Sequence, residues 1–128
     1  MLIIDGSVTV ASLFAQIFEN RGWSVSTCND ADCAMDRLAG SAPYDLVLLS
    51  YCVPGTDGVK LVRFIRALEH RMTAAVVMVT GTGEVTEQAR AAGADDVLLK
   101  PVNPNALVWT VEELTSAQTV RMTEGYGR

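Results

Sequence analysis

Asp45-Leu46-Val47-Leu48-Leu49-Ser50-Tyr51-Cys52-Val53-Pro54-Gly55-Thr56-Asp57-Gly58 is the stretch on which the fold turns. Leu46 to Leu49 is an unbroken apolar run of strand length, which predicts a strand buried on both faces and therefore a parallel sheet covered by helices. The run stops at polar Ser50. Pro54 to Gly58 then supplies turn residues, and Asp57 is placed to cap a helix carrying Leu61, Val62, Ile65 and Leu68 inward.

The same alternation extends to both sides. Leu2 to Ile4 predicts the first strand, and Val10, Leu13, Phe14, Ile17 and Phe18 recur at helical spacing behind a Ser7 cap, with Gly22 closing the helix. Ser24 to Thr27 predicts the second strand, and Ala31, Ala34, Met35 and Leu38 form the stripe of a helix closing at Gly40. Beyond the central strand, Ala74 to Val79 predicts the fourth strand. A Gly81-Thr82-Gly83 loop leads into a thin, alanine-rich helix over Val85 to Ala92, ended by Gly93. Val97 to Leu99 predicts the fifth strand. Asn103-Pro104 reads as cap and first position of a last helix with Leu107, Val108, Val111 and Leu114 inward. Strands alternating with helices five times predict one α/β domain over residues 1–118, with 119–128 as a frayed tail.

Composition agrees. The chain has 128 residues, enough for one core, and is 49% hydrophobic and 20% charged. A net charge of -5 without clustered Lys and Arg argues against direct nucleic-acid or anionic-membrane binding. Asp5 interrupts the N-terminal apolar residues before signal-peptide length, and no run approaches the ~20 residues of a membrane span, so a cytoplasmic location is expected. Cys28, Cys33 and Cys52 are odd in number and lack paired metal-type spacing, which predicts neither disulfide nor zinc.

In an open parallel sheet the functional crevice lies beyond the carboxyl ends of the strands. Asp5, Ser50, Thr80 and Lys100 each follow a predicted strand, so residues far apart in sequence should converge there. Together with Thr80-Gly81, Lys100-Pro101 and the quoted central stretch, these positions resemble the receiver domain of bacterial response regulators, across roughly residues 1–118. The resemblance implies a CheY-like, flavodoxin-like (βα)5 fold. That fold is a doubly wound five-stranded parallel sheet of order 2-1-3-4-5, the middle layer of a three-layer sandwich. It also implies a cis Lys100-Pro101 bond.

The departures from the family pattern bear on function. Where receivers carry the phosphoacceptor aspartate, this chain has Ser50; where they carry two adjacent acids, it has Asp5-Gly6; where they place the switch Tyr or Phe, it has Val97. One carboxylate and a neutral hydroxyl make a poor magnesium site, so binding is expected to be weak at most, through Asp5, and no cofactor is expected. A serine hydroxyl also needs a base before it can act as a nucleophile. The resemblance thus points to a degenerate pseudo-receiver, a signalling and interaction module of a two-component phosphorelay system without catalysis of its own. The alternatives are unconventional phosphorylation on Ser50, or a small flavodoxin-like enzyme or ligand-binding module. The enzyme reading lacks a histidine at a strand end and a glycine-rich phosphate fingerprint.

Several residues carry two readings. Lys100 either pairs with Asp5, with Thr80 satisfying a backbone group, or is left under-neutralised, so that the pocket attracts an anion or holds the domain in one fixed state. Cys52 is either a small loop filler or a thiol activated by Lys100. His70 is read as a solvated cap at the end of the third helix. Trp109 lies outside the apolar stripe of the last helix. It either lies flat over a neighbour or anchors a partner at the helix 4, strand 5, helix 5 face, where an effector, a sensor component or a second copy would bind.

Overall fold

The computed structural model describes residues 1–126, with side chains described through residue 116. Its elements in chain order are β1 (Leu2–Ile4), α1 (Val8–Glu19), β2 (Ser26–Cys28), α2 (Ala31–Ala39) and β3 (Leu46–Ser50). After a two-strand hairpin, β4 (Cys52–Val53) and β5 (Thr56–Asp57), come α3 (Gly58–Ala67), β6 (Ala75–Thr80), α4 (Thr86–Ala92), β7 (Asp96–Leu99) and α5 (Pro104–Tyr126). The main sheet is parallel throughout, in the order β2-β1-β3-β6-β7. Counting its five strands alone, that is the expected order 2-1-3-4-5.

Side-chain alternation along the strands divides the core in two. Leu2, Ile4, Val47, Leu49, Val76 and Met78 pack with Leu38, Leu61, Val62, Ile65 and Ala89 from α2, α3 and α4. Ile3, Leu46, Leu48, Val77 and Val79 face the other way, onto Ala11, Ala15 and Phe18 of α1 and Leu107 and Val111 of α5. Because successive side chains of a strand point to opposite faces, a fully apolar β3 is what such a two-sided layer requires.

The caps fall where the residue types place them. The Ser7 hydroxyl accepts the Val10 N–H, and the Asp30 and Asp57 carboxylates accept the Cys33 and Lys60 N–H groups. Asn103 accepts from Asn105 and Ala106 ahead of α5. Gly93, at φ 118°, closes α4 in the left-handed region. The Lys100-Pro101 peptide is cis, as expected.

Three expectations need correction. Cys28 and Cys33 form a disulfide, with their Cα atoms 5.5 Å apart, because the end of β2 and the first turn of α2 meet across a tight loop. His70 does not cap α3. Its Nε2 lies 3.1 Å from the Leu38 carbonyl and 3.0 Å from that of Gly40, at the C-terminal end of α2. Leu13 and Met35, expected to face inward, are exposed: Leu13 lies on the side of α1 opposite Ala11, Ala15 and Phe18, and Met35 at the margin of the face formed by Ala31, Ala34 and Leu38. The hairpin β4-β5 was read only as a turn; its two-residue strands are too short to show periodicity. The tail expected over 119–128 is helical through Tyr126, as the end of α5, and 127–128 lie outside the described residues.

Candidate functional site

Asp5 and Ser50 meet because their strands are neighbours. β1 and β3 pair in parallel with Ile4 beside Leu49, so the next residue of each strand leaves the sheet at one level. Lys100 joins them from the end of β7, its N–H bound to the Thr80 carbonyl at 2.8 Å. With Gly6, Ser7, the β4-β5 hairpin and Asp57 these residues line a cleft of about 590 Å³. The structure therefore brings Asp5, Gly6, Ser50, Cys52 and Lys100 together in one cleft.

The polar groups of this cleft are sparsely matched. Asp5 Oδ1 accepts the Ser7 N–H at 2.8 Å, while the buried Oδ2 has no hydrogen-bond partner. Lys100 Nζ stands 3.5 Å from that Oδ2, an ionic contact between a side chain 34% exposed and one 6% exposed. The backbone of Asp5 is pinned by the Cys28 carbonyl and by the Asn29 side-chain amide, at 3.0 and 2.9 Å. Ser50 is buried, and among the described residues its hydroxyl has no hydrogen-bond partner. Asp57 spends one carboxylate oxygen on the cap of α3.

Thr80 stands beside the cleft at the end of β6, where Val79 pairs with Ser50. It is buried, does not line the cleft, and its hydroxyl donates to the Thr82 carbonyl and accepts the Thr82 N–H, both at 3.2 Å. The hydroxyl thus satisfies a local turn. Lys100 likewise takes its simpler role, as counter-charge to Asp5. Val97 is half-buried in β7 against the α2-α3-α4 side of the core.

Backbone spacing also shapes the cleft. A Cβ on Gly6 would stand 2.9 Å from Pro54 Cδ and 3.1 Å from the Cys52 carbonyl, and the Gly6 N–H already bonds that carbonyl at 3.3 Å. The hairpin stands directly against the position where the family's second acid would be. Gly58 is tighter still: its Cβ would come within 2.6 Å of the Ser50 carbonyl. Only glycine lets α3 start this close beneath the end of β3.

The chain matches the family model described as the response regulator receiver domain over residues 1–112. It belongs to the response-regulator receiver family. The transcriptional regulatory protein ResD of Bacillus subtilis is 29% identical over 116 residues, 89% of this chain and 47% of that protein. The phosphate regulon transcriptional regulatory protein PhoB of Escherichia coli is 28% identical over 110 residues, 84% of this chain and 48% of that protein. A crystal structure of a CheY-like receiver domain protein from Methanospirillum hungatei superposes with a TM-score of 0.86 at 27% identity, covering 94% of this chain and 95% of the other. The chain spans about half the length of the curated relatives it matches. Receivers are signalling modules of two-component systems, and this one has the CheY-like architecture in full.

The residues present do not fit the magnesium ion that the family implies. Magnesium demands near-octahedral oxygen coordination built around carboxylates. The donors here are Asp5 Oδ2, already facing an ammonium, the neutral Ser50 hydroxyl and a Cys52 carbonyl engaged by Gly6. Among the described residues no three His, Cys, Asp or Glu side chains gather in a metal-holding group. Nor does Ser50 have a base within hydrogen-bonding reach to make it a nucleophile.

Two residues escaped the sequence reading. Arg71 is buried and donates to the Leu38, Arg37 and Gly40 carbonyls while its guanidinium lies 4.8 Å from the Tyr44 ring centre. Arg66 donates to the carbonyls of Met72, Ala74 and Gly93 and pairs with Asp95. Trp109 is 66% exposed, which discounts a ring lying flat over a neighbour. It stands one turn before Glu112, whose carboxylate takes Arg21 from the end of α1, so it presents on the α1 side of α5. Among the described residues no helix is long and apolar enough to cross a membrane.

Proposed function

We propose that this receiver works without aspartyl phosphorylation, as a pseudo-receiver that signals through protein contacts and has no catalysis of its own. The observation that carries the reading is Ser50: at the acceptor position stands a buried hydroxyl with neither a base nor a metal-binding set beside it. The Asp5–Lys100 contact takes up the charge that magnesium and acceptor would otherwise share, and so favours one state of the cleft. Burial of Ser50 also argues against a protein kinase reaching it in the folded domain.

The partner in this reading is an effector or sensor protein, or a second copy of the chain. Exposed Leu99 on β7 supplies an apolar anchor on the α4-β7-α5 face, and exposed Trp109 supplies another toward α1. The chain's negative charge leaves any contact with nucleic acid to another domain. Incubation with acetyl phosphate or phosphoramidate and magnesium, followed by intact-mass measurement, tests the central point. The expected result is an unchanged mass. A phosphoryl adduct that disappears in Ser50→Ala overturns the proposal and establishes phosphorylation on Ser50 in its place.

A further inference from the structure

The Cys28–Cys33 disulfide closes a very short loop, with a sequence separation of 5. Such a ring removes little chain entropy, so it contributes less to global stability than a long-range staple. What it constrains is local, and three residues of the ring, Cys28, Asn29 and Ala31, bond to the cleft's frame. The Cys28 carbonyl accepts the Asp5 N–H, and the Asn29 amide donates to the Asp5 carbonyl. Asp30 caps α2, and the Ala31 N–H donates to the Pro54 carbonyl at 2.9 Å, at the tip of the β4-β5 hairpin. One short stretch of chain therefore holds both the backbone of Asp5 and the loop beside the cleft.

The two sulfurs differ in access. Cys28 is buried, at 1% exposure, whereas Cys33 is half-buried in the first turn of α2, where the helix N-terminus stabilises a thiolate. An incoming thiolate reaches Cys33 first. We infer that Cys28 and Cys33 are a reversible dithiol–disulfide pair whose state sets how firmly Asp5 and the β4-β5 hairpin are held. The inference stands whether or not Ser50 ever accepts a phosphoryl group.

The exchange balances with a low-molecular-weight thiol and its disulfide as the redox partners. In reduction, one thiolate attacks Cys33 Sγ, the Sγ–Sγ bond breaks, and Cys28 leaves as a thiolate that takes a proton from water. A second thiolate attacks the mixed disulfide, releasing Cys33 as a thiolate, which is protonated in turn, and one molecule of the small disulfide. Oxidation runs the same steps backwards, two electrons passing to the small disulfide. Cys52, exposed and unpaired, takes no part.

The test equilibrates the whole chain in glutathione buffers of graded oxidation, quenches with iodoacetamide and counts alkylated thiols by intact mass. Amide hydrogen exchange is then measured at the two ends of the series. One alkylated thiol is expected at the oxidised end and three at the reduced end, joined by a single reversible step. On reduction, exchange at Asp5 and Ala31 should speed up about tenfold, while exchange at Leu48 in the central strand stays put. Cys33→Ser, the more exposed partner, should exchange like the reduced protein in every buffer. Three alkylated thiols throughout the series overturn the inference, as do equal exchange rates at its two ends. A Cys33→Ser variant whose exchange at Asp5 still follows the buffer overturns it too.

Discussion

The two ends of the sheet treat their polar groups in opposite ways. At the amino ends of the strands, Arg66 and Arg71 reach across helix termini and spend their guanidinium groups on the carbonyls of Leu38, Gly40, Ala74 and Gly93. At the carboxyl ends, the buried Asp5 Oδ2 has no hydrogen-bond partner and faces a lysine 3.5 Å away, while Ser50 lines the open cleft. Buried polar groups in folded proteins are normally paired, because an unpaired one costs its full desolvation. The amino-end arginines are therefore part of what holds the domain together. The carboxyl-end groups make little sense as stabilisers, and mark the site where a receiver's chemistry is ordinarily done.

The sharpest way to break this contrast is at its saturated end. Arg71→Met should cost about 3 kcal/mol in urea unfolding, since it strands carbonyls at the end of α2 and removes the cation from the Tyr44 ring. A loss below about 1 kcal/mol would show that water replaces the guanidinium and that the two ends are alike. Gly6→Ala comes next. Its methyl group meets Pro54 at 2.9 Å and must push the hairpin outward, for an expected loss of about 1 kcal/mol. The smallest effect belongs to Ser50→Ala. Deleting a hydroxyl with no partner should leave stability within about 0.5 kcal/mol of the parent, or raise it, by the same unfolding measurement. A clear destabilisation by Ser50→Ala would assign that hydroxyl a structural bond and undo the comparison.

Much of this was legible in the chain, for identifiable reasons. The apolar run Leu46 to Leu49, the Ser7, Asp57 and Asn103 caps and the terminating Gly93 are local signals, and each element formed where they placed it. The convergence of Asp5, Ser50 and Lys100 followed from the rule that such sheets work at their carboxyl ends. What escaped depended on contacts between elements. The Cys28–Cys33 bond forms because a strand end and a helix start meet across a loop, and no spacing motif encodes that meeting. Arg71 and His70 follow α3 in sequence yet serve α2 in space. Thr80 shows a different limit: its position matches the family's hydroxyl residue, but its rotamer turns to Thr82.

The seat of Gly6 against Pro54 bears on how this site could ever change back. Restoring the acceptor takes one substitution at Ser50, whereas restoring the neighbouring acid must displace a hairpin that has settled into the gap. A single change at either position would add one carboxylate without the other, beside a lysine that already faces Asp5. The hairpin thus makes position 6 harder to convert to a carboxylate than position 50, because any side chain there has to move Pro54 first.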